Sequence, residues 1–264
     1  MTDLTTAAPA LDALRRELDG IDEELLSLLA KRRDVTQQVK SLKQVTAKTT
    51  VSPLRPAREA QIHRRIMELA KTRGLDPSFA LRTWRGILTE SSLSQAPITI
   101  HISKRLAQTL GMRLHLNAHF PAMVVEDWKD EAQALIQVNV NPGDICVVET
   151  EAPWIEACVA GKAGTAQIIG ALPVMKGEAA PQLLIFGNAP MEASGHDETL
   201  LITEGNLPRD FALQPLWQVK SGPWRLSALT GFHSEHESPI VGLTRSNISL
   251  GLKLAGRYPS AIEV

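Results

Sequence analysis

The chain has 264 residues, 44% of them hydrophobic and 22% charged, with 4% aromatics and a net charge of −1. That length suits two domains better than one. Scarce aromatics argue against a nucleic-acid surface built on stacked rings, and near neutrality gives no reason to expect a polyanion partner. The charge is unevenly divided: residues 1–96 carry a balance of +4 and residues 97–264 one of −5. A basic first part suits a small anionic ligand, though chance asymmetry explains it equally well. Cys146 and Cys158 form no ligand-spaced cluster and sit in apolar surroundings, as buried thiols of a reducing compartment do. Residues 1–10 have neither a basic n-region nor an apolar h-region, and no run reaches the roughly 18 apolar residues of a membrane span. The expectation is a soluble cytoplasmic protein, with no signal peptide and no membrane contact.

Residues 9–45 read as one long helix. Leu11, Leu14, Leu18, Ile21, Leu25, Leu28, Val35, Val39 and Leu42 recur in alternating steps of three and four once position 32 is included. That is a coiled-coil seam. A helix of this length spans roughly 50 Å, more than two short helices can cover. A second copy of the chain is the simplest partner.

Residues 46–54 break the period and read as a loop. Pro56 suits the first turn of a second helix, where its missing N–H does no harm. That helix runs to about Thr72, carries Ile62, Ile66 and Leu69 on one face, and ends at Gly74. Asp76 and Pro77 look like an N-cap and first helical position, opening a third helix to about Gln95. Pro97 marks the boundary between two domains, 1–96 and 97–264. Beyond it, residues 98–102, 123–125, 145–148 and 183–186 look like strands, and residues 106–110 and 130–137 look helical. Alternating strands and helices predict an α/β domain.

Polar residues stand where this pattern wants apolar ones. Position 32 belongs to the seam yet holds arginine, and a buried cation costs several kcal/mol unless an anion meets it. Lys43, eleven residues on, lies within roughly 20° of the same face. The ordinary alternative is two long side chains reaching past the core to water. On the second helix, Arg58 and Glu59 lie toward the Ile62 face; an acid there is also good capping chemistry. On the third, Ser91 and Gln95 continue the stripe of Trp84, Ile87 and Leu88, unless that end is simply frayed. Together these side chains describe a pocket of cations, one carboxylate, one hydroxyl and one amide. The set fits a dianion carrying hydroxyl and ether oxygens. It contains no nucleophile–base pair and no metal cluster.

The chain resembles the all-helical class of chorismate mutases. The matching stretches run from Leu11 through Arg15 to Asp22, from Leu28 through Arg32 to Lys43, from Arg55 through Pro56 and Arg58 to Glu59, and from Ile87 through Ser91 to Gln95. Four motifs in register are specific where each alone is weak. The resemblance implies a three-helix domain forming an intertwined helical homodimer, with chorismate as substrate and no cofactor or metal. It implies that Arg15, Arg32 and Arg58 bind carboxylates and that Ser91 makes a further carboxylate contact. Lys43 and Gln95 are the implied donors to the ether oxygen, and Glu59 the acceptor for the substrate hydroxyl. In this class the first arginine serves the partner's pocket. The helical wheel agrees, since Arg15 lies about 100° off the face of Arg32. Two departures are Arg55, where many relatives carry an acid, and a loop between Lys43 and Arg55 a few residues longer than in minimal enzymes.

The second part is loosely similar to prephenate dehydratase, notably from Val124 to Trp128 and from Gly143 to Glu149. The Thr-Arg-Phe triplet of that family is absent: the corresponding stretch, Pro181 to Phe186, has neither threonine nor arginine. The expectation is a degenerate dehydratase-like domain, structural or regulatory. A bifunctional mutase and dehydratase, or a non-catalytic dimeric regulator, are the rivals. His233, His236 and Glu237 read as a polar loop in preference to a metal site. Gly161 to Thr165 lacks P-loop spacing and reads as a tight turn. Trp128, Trp154, Trp217 and Trp224 are expected to pack the second core.

Overall fold

The computed structural model describes residues 4–46, 52–151, 153–176 and 181–263, with side chains over residues 10–42 of the first stretch. The chain divides into two compact units, Met1–Thr49 and Thr50–Val264. The expected helical domain therefore has residues in both units, and the boundary read at Pro97 lies inside the second.

The first unit is one helix, α1 (Leu4–Thr46), five residues longer at its start than the seam predicts. Its 43 residues span about 65 Å at 1.5 Å per residue. The nine apolar seam residues are 43–68% exposed. An isolated helix gains most of its stability from burying such a stripe, so α1 presents an apolar face in want of a partner.

The second unit begins with α2 (Pro56–Thr72) and α3 (Pro77–Leu93). Both open on proline at the first turn, as expected. The Asp76 side chain caps α3 by accepting a 2.9 Å hydrogen bond from the Ser78 amide. The buried face of α2 is Ala57, Ala60, His63, Met67 and Ala70, not the half-buried stripe of Ile62, Ile66 and Leu69. Alanines at three of those positions let the helix backbone approach its neighbours closely. Arg64 then fastens α2 in place: Nη1 donates to Ser194 Oγ at 3.1 Å and Nη2 to the His196 carbonyl at 2.9 Å. Met67, Leu81 and Ile262 form the small apolar cluster between these helices and the end of the chain.

The remainder follows as β1 (Thr99–Ser103), α4 (Lys104–Gln108), α5 (Leu110–His119), β2 (Val124–Trp128), α6 (Glu131–Val140), β3 (Ile145–Glu149) and α7 (Trp154–Val159). Next come β4 (Gln167–Leu172), β5 (Leu183–Gly187), β6 (Asp197–Glu204), β7 (Trp217–Ser221), β8 (Trp224–Thr230), α8 (Ile240–Ser246) and β9 (Lys253–Pro259). One nine-stranded sheet has the order β2-β1-β3-β5-β4-β9-β6-β8-β7. The α/β expectation holds for β1, β2 and β3, which are parallel and joined by helices. From β5 onward the pairing is antiparallel except between β4 and β9. At that parallel junction the backbones nearly touch: a Cβ on Gly256 would sit 2.2 Å from the Ile168 carbonyl oxygen. Only glycine fits there.

The main core joins Trp154, Phe186, Leu135 and both cysteines, with Trp128, Trp217 and Trp224 packed against it, as the sequence leads one to expect. Gly161 and Gly164 take positive φ in the expected tight turn. No helix among the described residues is long and apolar enough to cross a membrane.

Candidate active site

The residues singled out from the sequence are distributed over both units. On α1, Arg32 is half-buried and desolvation lowers its pKa from the ordinary arginine value. It is the seam position where leucine would be expected, so its charge faces the same side as the apolar stripe. Arg15 is exposed and pairs with Asp12 at 3.1 Å, three residues earlier. An exposed pair of this kind is worth about 0–1 kcal/mol, so Arg15 is available to a stronger anion at little cost. Lys43 falls within α1, but its side chain lies outside the described residues.

On the second unit, Glu59 sits in the first turn of α2. Its Oε1 accepts a 3.4 Å hydrogen bond from the Arg55 backbone amide. Burial raises its pKa above the ordinary carboxylate value, and that hydrogen bond only partly opposes the rise. Arg58, its neighbour, is exposed. Ser91 and Gln95 are half-buried at the end of α3. The Gln95 amide donates to the Ser91 carbonyl at 3.0 Å, and the Ser91 hydroxyl to the Ile87 carbonyl at 2.7 Å. The Gln95 side chain thus serves a carbonyl of the last helical turn, which lacks a helical partner, while the Ser91 hydroxyl bonds back onto its own helix. A ligand oxygen could take over the Gln95 donor in a one-for-one exchange.

Glu59 also lines a cavity of about 450 Å³ within the second unit. Ala60 and His63 of α2, His119 and Phe120 at the end of α5, residues of β4, and Glu198, Trp217 and Tyr258 of the sheet share its walls. Ser91 and Gln95 are not among its lining residues. Apart from Glu59, sequence reasoning missed the polar groups of this cavity. His63 is 4% exposed, and its buried Nε2 has no hydrogen-bond partner among the described residues. Arg85 of α3 approaches the His119 ring, with Nη1 3.3 Å from Nδ1. Burial, helped by the Arg85 charge, depresses His63 from 6.5 to about 4 and His119 from 6.5 to about 3. Both imidazoles are therefore neutral near pH 7. The one available signal was His63, a polar residue four positions after Glu59 on the same helix face.

The other features behave as fold. Among the described residues no group of three His, Cys, Asp or Glu side chains is placed to hold a metal. His233 Nε2 lies 2.7 Å from the Thr230 carbonyl, and His236 is exposed beside Glu235. The thiols of Cys146 and Cys158 are both pushed up by burial. Strand β5, where a dehydratase triplet would lie, is buried throughout and holds neither threonine nor arginine.

Residues 14–96 match the family described as Chorismate mutase type II. The chain thus carries a chorismate mutase type II domain in its first three helices. A bifunctional chorismate mutase/prephenate dehydratase of Escherichia coli (strain K12) is 29% identical over 164 residues, covering 56% of this chain and 41% of that protein. A 4-amino-4-deoxychorismate mutase of Streptomyces pristinaespiralis is 33% identical over 85 residues, covering 32% of this chain and 64% of that protein. The chain spans less than half the length of the first of these relatives. Among solved structures, one described as GqqA, a novel type of quorum quenching acylase, has a TM-score of 0.43 at 12% identity, over 61% of this chain and 95% of its own. Prephenate dehydratase from Streptococcus mutans has a TM-score of 0.36 at 11% identity, over 64% of this chain and 100% of its own.

Proposed function

We propose that the protein is a cytoplasmic, homodimeric chorismate mutase that converts chorismate to prephenate. Residues 1–96 form its mutase domain, and residues 97–264 an α/β domain of structural or regulatory role. The match of residues 14–96 to the mutase family carries this reading. The exposed apolar seam of α1 supports the dimer, because a second α1 is the complementary surface it lacks.

The reaction is a unimolecular Claisen rearrangement and needs neither proton transfer nor cofactor. The protein must hold the flexible ether chain over the ring, which is catalysis by orientation. It must also stabilise negative charge on the ether oxygen as the C–O bond breaks. Arg32 of one chain, with Arg58, and Arg15 of the other chain bind the two carboxylates through planar forks. Ser91 adds a hydroxyl contact to a carboxylate. Lys43 and Gln95 donate to the ether oxygen, and Gln95 does so at any pH because an amide does not titrate. Glu59 accepts from the substrate hydroxyl, most strongly when ionised.

Incubating the full chain with chorismate tests this reading. Chorismate should disappear with stoichiometric appearance of prephenate; unchanged chorismate at micromolar protein would refute it. Prephenate supplied alone should persist at neutral pH. Conversion to phenylpyruvate would instead favour the bifunctional reading, to which the name of the E. coli relative points.

A further inference from the structure

We propose that the cavity beneath α2 is a binding site for a small primary amine on an aromatic or alicyclic body, held as its monocation. The observation behind it is the sheet wall of the cavity. There Glu198 Oε2 accepts two hydrogen bonds, from the Tyr258 hydroxyl at 2.5 Å and from Trp217 Nε1 at 3.2 Å. Two aromatic donors thus fix one carboxylate oxygen, and no hydrogen bond among the described residues engages the other. A carboxylate held by two aromatic donors, with one oxygen left over, is the chemistry that recognises an ammonium group by a charge-assisted hydrogen bond.

The rest of the lining selects the body of the ligand. Leu54, Phe120, Ile169, Ile185 and Ile262 supply apolar wall, and about 450 Å³ accommodates a single ring with a short side chain. The helical wall carries His63, whose buried Nε2 has no partner among the described residues, and His119 beside it in the lining. Neutral imidazoles there accept or donate one hydrogen bond, which suits a hydroxyl on the ring. The lining disfavours anions. Lys176, its one lysine, is paired with Glu263 at 2.5 Å, while Glu59 and Glu198 add carboxyl groups. This site is therefore distinct in charge preference from a pocket for chorismate, although Glu59 borders both; the proposal rests on Glu198 and does not depend on mutase activity.

Calorimetric titration of the full chain with tyramine at pH 7 tests it. We expect one tyramine per chain, weaker binding of 2-phenylethylamine, which lacks the hydroxyl, and no binding of 4-hydroxyphenylacetate, which carries the same ring on an anion. Glu198→Gln keeps an oxygen for Tyr258 and Trp217 but removes the charge. It should weaken tyramine about tenfold or more, as when a charge-assisted pair becomes a neutral one. Ala261→Trp fills the cavity from the terminal segment and should abolish binding; a melting curve checks that each variant folds. His63→Phe should erase the preference for tyramine over 2-phenylethylamine. Absence of tyramine binding, equal binding of the anion, or binding that survives in a folded Ala261→Trp chain would each overturn the proposal.

Discussion

Helix α1 and the unit that follows it solve the burial problem in opposite ways. From Thr50 onward, α2, α3 and a nine-stranded sheet enclose their apolar side chains within one chain. Along α1, the nine apolar seam residues stay exposed and the seam holds an arginine that is partly desolvated. Within the closed unit a partly desolvated arginine such as Arg64 is held by hydrogen bonds of its own chain. An interface between copies tolerates such a charge readily if an anionic substrate is delivered there. On the proposed homodimeric reading, the chain keeps stability in its second unit, and its first unit gains stability together with function on assembly.

The sharpest way to break this contrast is to place charge on the seam. Leu18→Asp combined with Leu25→Asp should convert the dimer to monomer by light scattering and reduce mutase turnover to background. The near-ultraviolet dichroism of the sheet tryptophans should be unaffected. Next in size, Gln95→Ala should lower kcat by about 10²–10³, the usual loss for a donor to developing oxygen charge, with little change in KM. A loss within about a factor of two would remove Gln95 from the chemistry.

Within the second unit, activity and stability should each respond to pH. Ionised Glu59 is the stronger acceptor for the substrate hydroxyl, and burial holds its pKa above the ordinary carboxylate range. Activity should therefore fall on the acid side at a higher pH than an exposed carboxylate would dictate. Glu59→Gln should lower activity and remove that limb; a limb that persisted would have another source. His63 and His119 titrate in the opposite direction from a paired histidine. Their folded pKa values lie below 6.5, at about 4 and about 3. The unfolded chain binds more protons between those values, so stability is complete above 6.5 and is lost as pH falls toward 4. The His63 contribution lost is on the order of 3 kcal/mol. His63→Gln should flatten the dependence of the urea midpoint on pH in that window. The smallest effect concerns Cys146 and Cys158, which burial keeps as thiols. Both should resist thiol reagents until the chain is unfolded.

Much of the first three helices was legible because their signals are local. Pro56, Gly74, Asp76 and Pro77 mark ends that the structure confirms within a residue or two, and the α1 seam is continuous. The buried face of α2 was misread because large isoleucines mask a stripe of alanines. Close backbone approach and the Arg64 hydrogen bonds, neither visible in a window of sequence, decide which face is buried. Strands β4 and β6 to β9 were missed for a related reason. Central β6 is buried on both faces over Thr199–Thr203 and shows no alternation, while glycines and turns interrupt its neighbours. Of the candidate site, the helical motifs were readable as a register of charges. The cavity was not: Glu59, His63, His119, Glu198, Trp217 and Tyr258 are scattered over some 200 positions and meet only through the sheet topology.

The central claim is that one active site takes its cations from two chains. Subunit mixing tests it most directly. Arg15→Ala chains and Gln95→Ala chains, each inactive alone, are unfolded together, refolded and assayed with chorismate. Random pairing makes half the dimers mixed, and each mixed dimer regains one intact site, so activity should return to about a quarter of the wild-type value. Activity no greater than the sum of the two variants would show that Arg15 serves its own chain, or no site at all.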